Sequence, residues 1–361
     1  MARVYNFSAG PSTLPVKVLK RAAGELVEYG KAGQSVMEMS HRSSHFEAII
    51  AECESLLRSL MGIPEGYKVL FVQGGASTQF AAIPMNLMGE GGSADYLVTG
   101  EFSSRAAKEA QRYGKVNIVA DGSADNFARM PNIADVKLDP KASYVHMCEN
   151  NTIYGTRFTQ LPDTKGVPLV SDMSSCILSE PVDVSKYAMI YAGAQKNMAP
   201  AGVTVLIIRK DLLGKALPYT PTMLDYSVAA KNDSMYNTPP TYPIYVCKLV
   251  LEWLRDDIGG LAKMGEINRR KAGALYDYLD QSAMFKPTAN KPDRSVMNVT
   301  FVTGNKEIDD KFVKEATAAG FENLKGHRSV GGMRASIYNA MPEEGIADLV
   351  KFMKDFEAKN K

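Results

Sequence analysis

Met189-Ile190-Tyr191-Ala192-Gly193-Ala194-Gln195-Lys196-Asn197-Met198-Ala199-Pro200-Ala201-Gly202 runs an apolar, strand-like tetrad straight into a turn of small residues that carries one lysine. A short apolar run bounded by glycine and small residues has the pattern of a strand covered on both faces. A lysine just beyond such a strand stands in a partly desolvated pocket, and desolvation lowers its pKa and makes the neutral, nucleophilic amine accessible. Such an amine can hold an aldehyde as a Schiff base. From this segment alone, Lys196 reads equally well as a solvated loop charge.

Upstream, Gly166-Val167-Pro168-Leu169-Val170-Ser171-Asp172-Met173-Ser174-Ser175 reads as a short buried strand ending in a carboxylate. An aspartate at that end of a strand points into the crevice where open α/β sheets bind ligands. If the aldehyde is pyridoxal 5'-phosphate, Asp172 would pair with the pyridine nitrogen and keep it protonated, so that the ring accepts electrons from the substrate carbon. In isolation Asp172 reads as a helix N-cap or turn residue; the strand-end lysine one strand later favours the cofactor. Further upstream, Tyr67-Lys68-Val69-Leu70-Phe71-Val72 is a strand pattern, Gln73-Gly74-Gly75-Ala76-Ser77-Thr78 a tight turn, and residues 79–88 an apolar helical run. Free N–H groups and the helix dipole both favour a phosphate at such a junction. No Gly-Lys-Ser/Thr and no Gly-x-Gly-x-x-Gly spacing is present, so neither ATP nor NAD is favoured.

Working outward, apolar runs at 69–72, 95–99, 116–119, 144–148, 167–170, 189–192 and 204–208 are spaced by helix-length segments. The expected fold is α/β: a large domain with a mostly parallel seven-stranded sheet covered by helices, followed by a smaller C-terminal α/β domain. Residues 218–243, rich in Pro, Thr, Asn and Tyr, read as a long ordered loop. Residues 243–253 and 259–279 read as helices; a strand at 298–301, a helix around 307–318, a strand near 334–337 and a last helix from 342 to 356 make the small domain.

The 361 residues, 45% of them hydrophobic, are enough for two domains or one large domain with an appendage. A net charge of +2 and a pI near 8.1 are too balanced for a nucleic-acid binder and point to small anions as partners. Cys53, Cys148, Cys176 and Cys247 are scattered, with four histidines in the chain, so neither a disulfide framework nor a metal site is expected. With no apolar signal core and no window of membrane-spanning length, the expectation is a soluble cytoplasmic protein without membrane contact.

Tyr5-Asn6-Phe7-Ser8-Ala9-Gly10-Pro11-Ser12-Thr13-Leu14-Pro15, Met39-Ser40-His41-Arg42-Ser43, the Gln73-Gly74-Gly75 turn, Asn150-Asn151-Thr152-Ile153-Tyr154-Gly155-Thr156, Asp172, Gln195-Lys196, Asn237-Thr238-Pro239-Pro240 and Gly326-His327-Arg328-Ser329-Val330-Gly331-Gly332-Met333-Arg334-Ala335-Ser336 follow in order along the chain. In this order and spacing, nearly end to end, the chain resembles the phosphoserine aminotransferase family, pyridoxal-phosphate enzymes of fold type I and class V. The resemblance implies a large domain of residues 16–258 and a small one of 1–15 with 259–361. It implies reversible transfer of the amino group of L-glutamate to 3-phosphohydroxypyruvate, giving O-phospho-L-serine and 2-oxoglutarate in serine biosynthesis. In many bacteria the family also forms 4-phosphohydroxy-L-threonine for vitamin B6.

By the same resemblance Lys196 and Asp172 are catalytic, and Ala76, Ser77, Phe102, Thr152, Gln195, Asn237 and Thr238 join them in holding the cofactor. Some family members carry an arginine where this chain has Ala76-Ser77-Thr78. Arg334 is expected on the substrate α-carboxylate, a planar fork suited to bidentate pairing. His41, Arg42, His327 and Arg328 are expected around the distal anion. The resemblance further implies a homodimer in which His41, Arg42, Asn237 and Thr238 reach the neighbouring subunit's site. The alternatives are another class V enzyme, such as a cysteine desulfurase, disfavoured because no cysteine follows Cys247; a nucleotide-dependent oxidoreductase; and a silent cofactor carrier.

Overall fold

In the strand Thr204–Arg209, Val205 and Ile207 enter one apolar core while Leu206 and Ile208 enter another. This is the period-two pleat of a strand buried on both faces. The computed structural model, which describes residues 3–360, repeats that alternation across a seven-stranded sheet. Its strands are β1 (Tyr67–Val72), β2 (Ser93–Val98), β3 (Lys115–Asp121), β4 (Val145–Cys148), β5 (Leu169–Asp172), β6 (Met189–Gly193) and β7 (Thr204–Arg209), in the order β1-β7-β6-β5-β4-β2-β3. Neighbours from β6 through to β3 pair in parallel, and β7 runs antiparallel to both β6 and β1. Each of the seven runs read from the sequence is one of these strands, with ends displaced by at most two residues.

The helices α1 (Val16–Gly24), α2 (Ser44–Met61), α3 (Gly75–Leu87), α4 (Glu101–Ala110), α5 (Tyr226–Lys231) and α6 (Thr241–Trp253) cover the sheet. Phe46, Ile49 and Leu57 of α2 meet Ile244 and Leu251 of α6 in the core on one face, and Phe80 and Ile83 of α3 meet Ala106 and Ala110 of α4 in the core on the other. The stretch 218–243, expected as a long ordered loop, holds a 3-10 turn at Thr222–Leu224 and the helix α5. Asp225 caps α5 by accepting from the Ser227 N–H, while Tyr226 donates from its N–H to Asn86 (2.9 Å) and from its hydroxyl to Gln79 (2.6 Å). These long-range bonds override the weak local periodicity.

Helix α7 (Leu261–Gln281) carries the chain onward: Leu261 and Met264 lie in the first core, Ala272, Leu275 and Leu279 in a third. That third core rests on a sheet of Lys286–Pro287, Asn298–Val302 and Met333–Ser336, with α8 (Lys306–Ala318) and α9 (Glu343–Lys359) against it. Phe285, Phe301, Phe312 and Phe356 meet there ring to ring. At about 1.5–3 kcal/mol per buried phenylalanine, they outweigh the surrounding surface ion pairs, worth about 0–1 kcal/mol each. Phe7 joins the same core, and Tyr5–Asn6 pairs in parallel with Phe321–Glu322.

Candidate active site

The C-terminal ends of β4, β5 and β6 and the N-termini of α3 and α4 converge on a cavity of about 340 Å³. Beyond β6 the chain turns tightly, with the N–H groups of Met198 and Ala199 both donating to the Ala194 carbonyl. Asn197 pins this turn: its amide donates to the Ile177 carbonyl (3.0 Å), and its oxygen accepts from the Asn339 N–H (3.0 Å). Lys196 is thereby held inward, 8% exposed, and its Nζ donates to Thr152 Oγ1 at 2.7 Å. Burial pushes its pKa down, with the Asp172 carboxylate pulling the other way. The reading of Lys196 as a solvated loop charge is excluded.

The first residues of the chain strap this turn from outside. The Ser12 N–H donates to the Gln195 carbonyl (3.0 Å), its hydroxyl donates to that of Lys196, and the Tyr338 hydroxyl donates to that of Ala9. Gly10 has a φ of 141°, and a Cβ there would stand 3.3 Å from Lys196 Cγ and 3.4 Å from Gln195 Cγ. Glycine alone suits both the conformation and the approach.

Asp172 ends β5, and its Oδ1 accepts from the Ser174 N–H (2.9 Å) and hydroxyl (2.6 Å). The same Ser174 Oγ accepts from the Gly193 N–H (3.0 Å), which ties the carboxylate to the end of β6. Burial pushes the Asp172 carboxyl pKa up, and the Ser174 bonds draw it back. Helix α3 opens at Gly74, whose φ is 91° and where a Cβ would overlap Thr78 Oγ1 at 2.0 Å. The N–H groups of Gly75, Ala76 and Ser77 precede the first N–H that donates within the helix, that of Thr78 to the Gly74 carbonyl, and these residues line the cavity. Phe102 forms a wall, its ring centroid 5.4 Å from Lys196 Nζ.

Arg334 approaches from the C-terminal part, with Nη1 donating to the Thr152 carbonyl (3.4 Å). Its Nε is buried and without a partner, an open edge for an anion. His327 lines the same cavity, its pKa lowered by burial and then by Arg334 and Arg328. The chain thus gathers Ala76, Ser77, Phe102, Thr152, Asp172, Gln195, Lys196, His327 and Arg334 around one space.

It does not gather the others. His41 Nδ1 lies 3.2 Å from Thr238 Oγ1, Gln73 donates to the Thr238 carbonyl, and Asn237 lines a separate cavity of about 410 Å³ with Gln73 and Gly74. Arg42 and Arg328 are exposed and outside the Lys196 cavity. Residues the sequence reading did not single out also line the site. Arg105 is one, three positions beyond Phe102 on α4 and so on its helical face. Asn150 is another: it donates to Ser175 Oγ and Asn298 Oδ1 and accepts from Ser295 Oγ, joining the β4 loop to the strand beside Arg334. Among the described residues, no group of three or more His, Cys, Asp or Glu is placed to hold a metal, and no helix is long and apolar enough to cross a membrane.

A family model described as aminotransferase class-V matches residues 4–349. The chain is 52% identical over 361 residues to a phosphoserine aminotransferase of Bacillus cereus, covering all of both chains. Its structure superposes on that of a phosphoserine aminotransferase from Bacillus circulans subsp. alkalophilus with a TM-score of 0.97 and 48% identity, covering 99% of each chain. On a PLP-bound phosphoserine aminotransferase from Trichomonas vaginalis the TM-score is 0.93 at 42% identity, covering 98% of this chain and 100% of that one. With its strand-end lysine and aspartate, its helix N-terminus and its N-terminal strap in one cavity, the chain belongs to the class-V aminotransferase family, within its phosphoserine aminotransferases.

Proposed function

We propose that this chain transfers the amino group of L-glutamate reversibly to 3-phosphohydroxypyruvate, giving O-phospho-L-serine and 2-oxoglutarate, with pyridoxal 5'-phosphate as cofactor. The observation that carries the reading is the meeting of a buried lysine, a buried carboxylate and a helix N-terminus in one cavity. The residues fit the cofactor by their chemistry: N–H groups at α3 for a phosphate, an aromatic wall at Phe102 for a ring, a carboxylate for a basic nitrogen and an amine for an aldehyde. When bound, the cofactor supplies an electrophilic carbon and an electron-accepting ring.

Lys196 Nζ would hold the cofactor through its aldehyde carbon, and as a free amine it would serve as the base that moves the substrate Cα proton. Its lowered pKa suits both tasks, and Thr152 Oγ1 aims it. Asp172, steadied by Ser174, holds the proton on the ring nitrogen. Ala76, Ser77 and Gln195 hold the cofactor's phosphate, and Phe102 fixes the ring plane by stacking, worth about 1 kcal/mol. The open edge of Arg334 takes the substrate α-carboxylate, and His327, in the same cavity, takes the distal anion.

In this reading His41, Arg42, Asn237 and Thr238 serve the site of a partner subunit in a homodimer. Support comes from the grouping of His41, Asn237 and Thr238 beside the Gln73-Gly74 turn, with Arg42 next to His41 in the chain, all outside the cavity of their own Lys196. The same reading treats residues 16–258 as the cofactor-holding unit, residues 1–15 and 259–361 as the unit that carries Arg334, and the cytoplasm as the location. The absorption spectrum of purified protein tests it: a band near that of a protein-bound aldehyde cofactor, lost on adding glutamate and restored by 3-phosphohydroxypyruvate. Protein that gains no band with added cofactor rules the reading out.

A further inference from the structure

Behind Asp172 lies a polar pair that the function above does not use. The registered neighbour of Asp172 across the parallel ladder is Tyr191 of β6. Such neighbours project to the same face of a sheet. The Tyr191 hydroxyl lies 2.8 Å from Nε2 of His146 on β4, and the His146 ring stacks on Tyr96 of β2 with centroids 4.7 Å apart. Tyr191 and His146 are 0% and 1% exposed. A histidine buried this deeply in a sheet core is costly, and nothing in the packing alone requires its nitrogens.

The partners fix the direction of the bonds. Nδ1 of His146 is buried without a partner. A bare ring nitrogen is cheaper to leave unpaired than an N–H group, so the proton sits on Nε2 and is donated to the Tyr191 oxygen. Tyr191 then has its own proton to give. Both Ser174 bonds fall on Oδ1 of Asp172, leaving the carboxylate capacity to accept another.

We infer that Tyr191 and His146 are positioning residues for the cofactor: His146 orients the Tyr191 hydroxyl, which donates to the Asp172 carboxylate and keeps it ionised and aimed at the ring nitrogen. The inference rests on the cofactor site proposed above. The Tyr191 hydroxyl works in the same direction as Ser174, lowering an Asp172 pKa that burial raises. Lys196, Cys148 and Cys176 are the titratable groups facing Asp172, and Tyr96 and Tyr226 face Tyr191, with Tyr144 bonded to Tyr96. Burial holds these thiols and phenols protonated, and it lowers the Lys196 pKa.

The test is equilibrium binding of pyridoxal 5'-phosphate to the apoprotein, followed by absorbance at about pH 6 and about pH 8, for wild type, Tyr191→Phe, His146→Leu and His146→Gln. An Asp172 that loses its donor takes up a proton at higher pH. Tyr191→Phe and His146→Leu are therefore expected to lose about tenfold more affinity between the higher and lower pH than wild type. His146→Gln, whose amide still donates, is expected to stay near wild type. Equal weakening at both pH values, or no weakening, overturns the inference. Wild type that binds no cofactor overturns the function reading instead. If His146→Leu fails to fold, Tyr191→Phe, which removes a single oxygen, decides alone.

Discussion

Lys196 Nζ and Thr152 Oγ1 stand 2.7 Å apart although they follow different strands, β6 and β4, and the strand between them ends in Asp172. The bond therefore fixes the amine relative to the carboxylate. Thr152→Ala removes the acceptor at a cost of about 1 kcal/mol and should lower kcat several-fold while KM moves little. Thr152→Ser should restore it. A kcat that is unchanged in the alanine variant would show that the amine is aimed by other means.

Lys196→Ala should abolish turnover while leaving the apoprotein as stable as wild type or more so. A buried ammonium is desolvated in the fold, and that penalty disappears with the side chain. Urea unfolding of both apoproteins measures the difference; a marked loss of stability would mean that the Thr152 bond outweighs desolvation.

Asp172→Asn keeps Oδ1, and with it the two Ser174 bonds, so the fold should persist. Turnover should fall by several orders of magnitude because the ring nitrogen loses its charged partner. Near-normal turnover would assign that role to another acid.

Mixing Lys196→Ala with Arg42→Ala and allowing subunits to exchange tests the placement of Arg42 across a dimer. Each mixed dimer then holds one doubly defective site and one intact site, so a statistical mixture should regain about a quarter of wild-type activity. No recovery, once exchange is verified by mass, would keep Arg42 in its own subunit's site.

Acid should unfold the apoprotein partly through His146, whose pKa is pushed down to about 3 by burial. Below the ordinary value of about 6.5 the unfolded chain takes up a proton that the folded one refuses, so this stability is full above about pH 6.5 and is lost as pH falls toward the folded value. The loss should be on the order of 2–3 kcal/mol by about pH 4.5. In His146→Gln the slope of stability against pH over this window, read from urea midpoints, should flatten by a similar amount; an unchanged slope would assign it to other groups.

The strands were legible because period-two burial leaves its mark on neighbouring residues, as in Val205 and Leu206 facing opposite cores. Lys196 and Asp172 stood out because Asp172 ends such a strand and Lys196 lies in the turn just beyond one. The seat of Gly10 on the Lys196 stem was not, since the two lie at distant points of the chain and only folding joins them. Tyr191 and His146 escaped notice for another reason: within an apolar run, a tyrosine and a histidine read as core. Helix α5 was hidden because its reasons for existing, Gln79 and Asn86, lie on α3.

The N-terminal strap sets an order on biosynthesis. Residues 5–12 leave the ribosome well before their partners, which are Gln195 and Lys196, then Gly320 and Glu322, and Ser336 and Tyr338. Nascent chain that stops short of Gly320 lacks the partners that hold Tyr5, Phe7 and Ala9 in this segment. A half-made polypeptide with its sheet already formed would still lack a finished pocket, so competence for the cofactor is acquired only after residues through Tyr338 have been made, when the strap finds its seats.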